Sequence, residues 1–111
     1  MVKPERFSVL VAGAGQLGSR YLQGLVRCLN PLRIFVYDPA DRSRHTAAER
    51  WSEAGGPSTG HVVSYHDVLD DVSTDLDIVI VATTAAVRPM VVEHTAERAQ
   101  VRMWILEKVL A

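Results

Sequence analysis

The chain has 111 residues, of which 48% are hydrophobic and 23% charged, and its 12 lysines and arginines nearly balance its 13 aspartates and glutamates. A chain of this length buries roughly 65% of the surface that its unfolded form would expose, enough for one core and not for two domains. The composition therefore predicts one globular domain over residues 1–111. It excludes an enzyme that carries a cofactor domain and a substrate domain within this length.

The charge balance argues against binding to nucleic acid, because contacts to phosphates depend on clustered positive charge. Arg42, Arg44 and Arg50 lie close in sequence but alternate with acidic residues, as on a solvated helix face. The single cysteine, Cys28, fits a reducing compartment. It lies in an apolar helical pattern and is predicted to pack in the core. The longest apolar run, residues 78–82, is far below the roughly 20 residues that span a membrane. We therefore expect a cytoplasmic protein without nucleic acid or membrane partners.

Short β-branched runs alternate along the chain with longer helical patterns. In chain order, the patterns predict a strand, a helix, a strand, a helix, a strand, one helical turn, a strand, a helix and a strand. Their predicted bounds are residues 7–12, 16–29, 33–37, 40–54, 62–64, 65–69, 77–82, 86–99 and 102–107. This alternation predicts an α/β fold built on an open, doubly wound, Rossmann-like parallel sheet of about five strands in the order 3-2-1-4-5.

A glycine-rich motif lies between the first predicted strand and the first predicted helix. In it, Gln16 and Leu17 separate Gly15 from Gly18, and Gly13 stands two residues before Gly15. In the G-x-G-x-x-G pattern the first glycine permits a tight turn, the second lets a pyrophosphate approach the backbone, and the third allows close packing of helix and strand. These five positions are therefore predicted to bind a dinucleotide, with the phosphates at the helix N-terminus.

An acidic residue follows the second predicted strand at the distance that such a site requires. Asp38 lies twenty residues beyond Gly18, where a carboxylate can accept hydrogen bonds from the adenosine ribose. This favours NAD over NADP, whose 2′-phosphate would meet a negative charge. Two alternatives stay open: Asp38 caps the next helix, or Arg42 and Arg44 bind a 2′-phosphate and admit NADP.

Polar residues also follow the fourth and fifth predicted strands, at the sheet edge where ligands bind in such folds. Thr83 and Thr84 are candidates for contact with the cofactor or for capping the next helix. Glu107 and Lys108 lie where a nicotinamide ring would sit, or they are simply a solvated strand end. The four histidines show no metal-ligand spacing, so no metal site is predicted.

Together these residues resemble the N-terminal domain of the glucose-fructose oxidoreductase, inositol dehydrogenase and rhizopine-catabolism family. That family has a glycine-rich turn, an acid after the second strand, Ala-Thr-Pro after the fourth and Glu-Lys-Pro after the fifth. This chain has Ala-Thr-Thr at residues 82–84 and Glu-Lys-Val at residues 107–109. The resemblance implies that Thr83 lines the cofactor cleft and that Lys108 orients nicotinamide and substrate, as the catalytic residue of this chain.

The resemblance also implies an activity, hydride transfer between a nicotinamide cofactor and a sugar, cyclitol or related hydroxyl or carbonyl group. Several positions depart from the pattern: Thr84 and Val109 replace prolines, Arg88 stands where a histidine is common, and Val101 replaces a glycine. The family's catalytic histidine belongs to a following domain that residues 1–111 do not include. We therefore expect this domain to bind cofactor without turnover, and a sugar-like substrate only together with that second domain.

Two other functions use a glycine-rich turn and an acid. A non-catalytic, nucleotide-sensing regulatory module has the same cofactor requirements but no need for Lys108. A methyltransferase that uses S-adenosylmethionine is disfavoured by the complete G-x-G-x-x-G spacing. The fifth strand, finally, is apolar and has no predicted sixth strand beside it, so we expect homo-oligomers to form through that exposed edge.

Overall fold

A parallel five-stranded sheet forms the centre of the computed structural model, which describes residues 6–107. The strands are β1 (Phe7–Ala12), β2 (Leu32–Tyr37), β3 (Val62–His66), β4 (Asp75–Val81) and β5 (Gln100–Leu106). Their order is β3-β2-β1-β4-β5, which confirms the prediction. The central strand β1 pairs with both β2 and β4, so that Val9 lies between Ile34 and Ile78.

Helices cover both faces of the sheet. They are α1 (Gln16–Leu25), α2 (Asp41–Glu53) and α3 (Arg88–Arg98), and short 3-10 turns occupy Gly56–Ser58 and Leu69–Asp71. On the first face, the α1 residue Leu22 and the α2 residue Trp51 pack on β1 and β2. On the second face, the α3 residue Val91 packs with the 3-10 residue Leu69 against side chains of β1, β2 and β4. None of these helices is long and apolar enough to cross a membrane.

The first helix is shorter than predicted. It ends at Leu25 rather than residue 29, and the N–H groups of Val26, Arg27 and Cys28 each bond to the carbonyl three residues earlier. Pro31 disfavours helical geometry only at Asn30. The helix ends earlier, where the tighter bonds of Val26, Arg27 and Cys28 replace α-helical ones. Leu29 is consequently 99% exposed. The prediction that Cys28 packs in the core was wrong, because its side chain is exposed.

The third strand is longer than predicted. Tyr65 and His66 were assigned to a helical turn, but they continue β3 and pair with Val36 and Tyr37. The edge of β2 offers hydrogen-bonding partners as far as Tyr37, and this pairing outweighs the weak local signal. The helical turn forms after the end of β3, at Leu69–Asp71 instead of residues 65–69. The strands β4 and β5 each begin two residues earlier than predicted, while α3 begins at Arg88 rather than residue 86.

Candidate functional site

The turn after β1 has a backbone that only glycine adopts easily. Gly13 has a φ of 102°, in the region that side chains disfavour. A Cβ atom there would lie 2.9 Å from the backbone carbonyl carbon of Ala82. The Gly13 N–H also donates to the Tyr37 carbonyl oxygen over 2.7 Å. The first glycine thus lets the turn fit tightly between the ends of β2 and β4.

The last glycine of the motif allows α1 to pack on this turn. A Cβ atom at Gly18 would overlap the carbonyl oxygen of Gly13, so no larger residue fits without moving the helix. Next to it, the fully buried hydroxyl of Ser19 donates to the Ala14 carbonyl oxygen over 3.1 Å. These contacts hold the turn and the helix as one rigid unit.

The middle glycine, in contrast, faces open space. Gly15 is exposed, and no atom lies within 4 Å of the position that its Cβ atom would occupy. It is the N-cap of α1, and no side chain between residues 6 and 107 caps this end of the helix. The first bond back to the cap comes from the Ser19 N–H, which leaves the N–H groups of Gln16, Leu17 and Gly18 without helical carbonyl partners. The helix end is therefore open to an anion.

Asp38 lies beside the turn, as its spacing predicts. One carboxylate oxygen accepts from the Ala14 N–H over 2.9 Å and the other from the Ala40 N–H over 2.8 Å. The Asp38 N–H donates to the His66 carbonyl oxygen over 3.1 Å. Each carboxylate oxygen can accept a further hydrogen bond, so this half-buried group is oriented and still available to a ligand. The N-cap of α2 is Ala40, and no side chain within residues 6–107 caps this helix, so the alternative that Asp38 caps it was wrong.

The two arginines after Asp38 differ in whether their side chains have partners within the protein. Arg44 donates to the Asp38 carbonyl oxygen over 2.8 Å and pairs with Asp41 at 3.1 Å. Arg42 is exposed and makes no hydrogen bond or ion pair with any residue between 6 and 107. Of the two, only Arg42 is free to meet a ligand at this edge.

The two threonines after β4 occupy different environments. The Thr83 hydroxyl is buried and has no hydrogen-bonding partner within the described chain. Thr84 is exposed, and its carbonyl oxygen accepts from the N–H groups of Val87 and Arg88. Neither threonine side chain caps α3, whose N-cap is Val87, so the capping alternative was wrong. A buried, unpaired hydroxyl is costly unless a ligand satisfies it, which makes Thr83 a candidate contact.

At the end of β5, Glu107 contacts a helix residue. Its carboxylate accepts a hydrogen bond from the Tyr21 hydroxyl of α1, and this contact, reinforced by burial, raises the pKa of Tyr21. The Glu107 N–H donates to the Val81 carbonyl oxygen over 3.0 Å, which keeps the residue beside the end of β4. Lys108, the predicted catalytic residue, lies outside the described residues.

The structure adds residues that the sequence patterns did not single out. A depression beside Asp38 is lined by residues from β2, the segment after β3 and α3, among them Tyr37, Asp67 and Met90. Burial, assisted by the charges of Asp38 and Asp67, raises the pKa of Tyr37. Tyr21 appeared in the sequence only as part of an apolar helical pattern, and its partner is 86 residues away. No group of metal-ligating side chains occurs among residues 6–107.

No protein-family model and no curated protein sequence matches the chain. Its fold does match solved structures. A diketoreductase that acts on dicarbonyl compounds matches 98% of this chain with a TM-score of 0.73 and 19% identity. Malate dehydrogenase from Salinibacter ruber matches 92% with a TM-score of 0.71 and 16% identity. Lactate dehydrogenase from Eimeria maxima, solved with NADH and oxamate, matches 87% with a TM-score of 0.56 and 15% identity.

At these identities the matches show a shared Rossmann-like α/β fold. The chain spans 44% of the diketoreductase, 36% of the malate dehydrogenase and 32% of the lactate dehydrogenase. It therefore corresponds to less than half of each of these proteins.

Proposed function

We propose that this chain is the nicotinamide-dinucleotide-binding domain of an oxidoreductase. The observation that carries the proposal is the contrast within the glycine motif. Gly13 and Gly18 are packed against backbone, whereas Gly15 faces open space at an uncapped helix end. A purely structural turn would need the first and third glycines but has no use for the second. The named functions of the matching dehydrogenases and reductases support the same proposal.

The remaining groups fit the parts of such a cofactor. The pyrophosphate accepts hydrogen bonds from the free N–H groups at the start of α1, among them those of Gln16 and Leu17. Asp38 accepts hydrogen bonds from the adenosine ribose, which favours NAD, and the exposed Arg42 is the group that would admit NADP. The depression lined by Tyr37 takes the adenine. The Thr83 hydroxyl finds its hydrogen-bonding partner on the cofactor, and the exposed Thr84 contacts the cofactor beside it.

The nicotinamide end is assigned from the resemblance to the glucose-fructose oxidoreductase family. At this end of the site of our chain, the cofactor would supply the hydride donor or acceptor when bound. Glu107 borders the nicotinamide ring, and Lys108 orients the ring and the substrate. The substrate class is a sugar, cyclitol or related hydroxyl or carbonyl compound. Because hydride transfer also needs a held substrate and a proton donor or acceptor, a second domain completes the site, and residues 1–111 alone bind cofactor without turnover.

Two glycines of matched environment test the proposal. A Cβ atom at either Gly15 or Gly24 meets no atom within 4 Å, and neither residue has a positive φ. Both Gly15→Ala and Gly24→Ala should therefore fold. The methyl group at residue 15 occupies the space of the pyrophosphate, so calorimetric titration should show NADH binding weakened at least tenfold in Gly15→Ala and unchanged in Gly24→Ala. Equal affinities in both variants would contradict the proposal.

A nucleotide-sensing regulatory module is the second candidate, and the Tyr21–Glu107 hydrogen bond favours it. This contact gives the Glu107 carboxylate a structural partner on α1 that requires no nicotinamide. Comparing NADH with ADP-ribose, which lacks the nicotinamide, separates the two functions. An oxidoreductase domain should bind NADH more tightly and lose this preference in Lys108→Ala. A module that reads only the adenosine diphosphate part should bind both ligands equally.

A further inference from the structure

The depression beside Asp38 has the size and the charge of a site for an uncharged ring. Its volume is about 210 Å³. Sites for whole small molecules have roughly 300–1,000 Å³, so this depression holds one part of a cofactor. No lysine or arginine lines it within the described chain, and a phosphate would find no cation there. The side chains that line it include Tyr37, Asp67, Val68, Asp70, Met90 and His94.

Two large apolar side chains of this depression are exposed to solvent. Val68, in the segment after β3, is 46% exposed, and Met90, in the first turn of α3, is 52% exposed. A flat aromatic base removes such surface from water, and the thioether of a methionine makes favourable contacts with aromatic rings. These two side chains therefore bind a base without distinguishing one purine from another.

The polar side chains of the depression include a carboxylate without a partner. Asp67 is exposed and makes no hydrogen bond or ion pair with any residue between 6 and 107. Burial, followed by the charges of Asp38 and Asp67, raises the pKa of Tyr37, so the Asp67 carboxylate lies near this tyrosine. An ionised carboxylate accepts hydrogen bonds and cannot donate them.

A histidine on α3 supplies a second acceptor. The His94 Nε2 atom lies 2.7 Å from the Asp70 carboxylate, and the Asp70 carbonyl oxygen accepts from Arg98 over 2.8 Å. An ionised Asp70 carboxylate requires the imidazole hydrogen on Nε2, so the neutral ring keeps Nδ1 as its acceptor. The His94 side chain is 44% exposed, which leaves the ring accessible to a ligand in the depression.

We propose that Asp67 and His94 select adenine by accepting hydrogen bonds from its exocyclic amino group. Adenine carries two hydrogens on N6, whereas hypoxanthine has a carbonyl oxygen at the same position. Acceptors bind the amino group and repel the carbonyl oxygen. This inference rests on the proposed nicotinamide-dinucleotide function, which places the adenosine beside Asp38. Asp67 and His94 thus determine base specificity and take no part in hydride transfer.

Calorimetric titration of the full chain with two dinucleotides tests this selection. NADH is compared with its deaminated analogue, reduced nicotinamide hypoxanthine dinucleotide, which differs from it only in the purine. The parent should bind NADH roughly tenfold more tightly, as expected when a hydrogen bond to a charged acceptor is lost. Equal affinities for the two ligands would overturn the selection of adenine and leave the proposed function supported. Binding of neither ligand would contradict the proposed function and, with it, this inference.

Variants separate recognition of the base from a general effect of charge. Asp67→Asn replaces an acceptor oxygen by an amide group that donates, so the preference for NADH should fall at least fivefold. His94→Phe keeps a ring without an acceptor and should change the preference in the same direction. Asp71→Asn removes an exposed carboxylate of the same segment that does not line the depression, and it should leave the preference within twofold.

Two results with these variants would overturn the proposal. One is a preference for NADH that survives in both Asp67→Asn and His94→Phe. The other is an equal loss of affinity for both dinucleotides in Asp67→Asn, because Asp67 would then support the fold or the cofactor as a whole and would not read the base.

Discussion

At the scale of single residues, Asp38 joins the glycine turn to the segment that leads into α2. Its carboxylate bonds to the Ala14 N–H in the glycine turn and to the Ala40 N–H at the start of α2. Both contacts use the ionised form as acceptor and leave acceptor capacity on each oxygen. The orientation of the carboxylate is therefore set before any ligand binds.

Asp38 is expected to determine the choice between NAD and NADP. The parent should bind NADH more tightly than NADPH, because the carboxylate accepts from ribose hydroxyls and repels a 2′-phosphate. Asp38→Ala should lose this preference, mostly through weaker NADH binding by roughly tenfold, as expected for about 1.4 kcal/mol of lost hydrogen bonding. Calorimetric titration with both cofactors measures the change. Equal affinities in the parent would contradict the assignment.

His66 is expected to make the fold sensitive to mild acid. Burial, opposed in part by Asp71 and Asp67 and assisted by Arg33, lowers the pKa of His66 below its usual 6.5. Above pH 6.5 the ring is neutral in both states and carries no penalty. Below it the unfolded chain binds the proton first, so stability falls until the pH reaches the folded pKa.

Urea unfolding at pH 7.5 and pH 5.5 measures this effect. The parent should lose more stability between the two pH values than His66→Asn does. The variant keeps a polar side chain near Ser64, whose hydroxyl lies 2.7 Å from the ring nitrogen in the parent. The same loss in parent and variant would show that other groups cause the acid sensitivity.

At the scale of elements, one arginine joins α3 to the turn that precedes β4. The Arg98 guanidinium donates to the carbonyl oxygens of Leu69, Asp70 and Val72 over 2.8 to 3.2 Å. The Leu69 carbonyl oxygen also accepts from the Val72 N–H. The planar fork adds a charged donor to it and reaches the Asp70 and Val72 carbonyl groups at the same time. No local sequence pattern predicts this contact, because the partners lie 26 to 29 residues away.

Loss of this contact should destabilise the fold. Arg98→Ala leaves carbonyl groups without their charged donor and should lower the free energy of unfolding by about 2 kcal/mol, measured by urea denaturation. Arg102→Ala is the matched control. Its side chain is 74% exposed and pairs with Asp77 at 3.5 Å, and it should cost less than about 1 kcal/mol. A loss below that of the control would contradict the role of Arg98.

The elements also show where sequence reasoning succeeds. The glycine turn and Asp38 were predictable, because spacing along the chain and the ends of neighbouring strands determine their geometry. The end of α1 was not, since the apolar pattern continues to Leu29 while the helix ends at Leu25 and its packed face at Val26. The contact of Tyr21 with Glu107 depends on sheet order and burial, which periodicity does not encode.

At the scale of the whole molecule, the outer edge of β5 is the most exposed part of the sheet. Met103 is 56% exposed and Leu106 51% exposed. Within the described chain no strand pairs with the outer side of β5, so its backbone N–H and C=O groups are free to pair with another strand.

Two copies of the chain are therefore expected to associate through their β5 edges. Sedimentation equilibrium should show a dimer whose dissociation constant rises at least tenfold in Leu106→Lys, because the lysine must be desolvated at the interface. Val62→Lys, on the opposite edge strand β3, where Val62 is 37% exposed, should leave association unchanged. A monomer at all concentrations, or a dimer weakened equally by both variants, would contradict this prediction.

The proposed function requires that the open end of α1 binds the pyrophosphate of a nicotinamide dinucleotide. Titration of the nitrogen-15-labelled chain with NADH, followed by nuclear magnetic resonance, tests this binding residue by residue. We expect the largest shifts at the backbone N–H groups of Gly15, Gln16 and Leu17, with smaller shifts near Asp38 and Thr83. A saturating titration that leaves the Gly15 to Leu17 signals unmoved would contradict it.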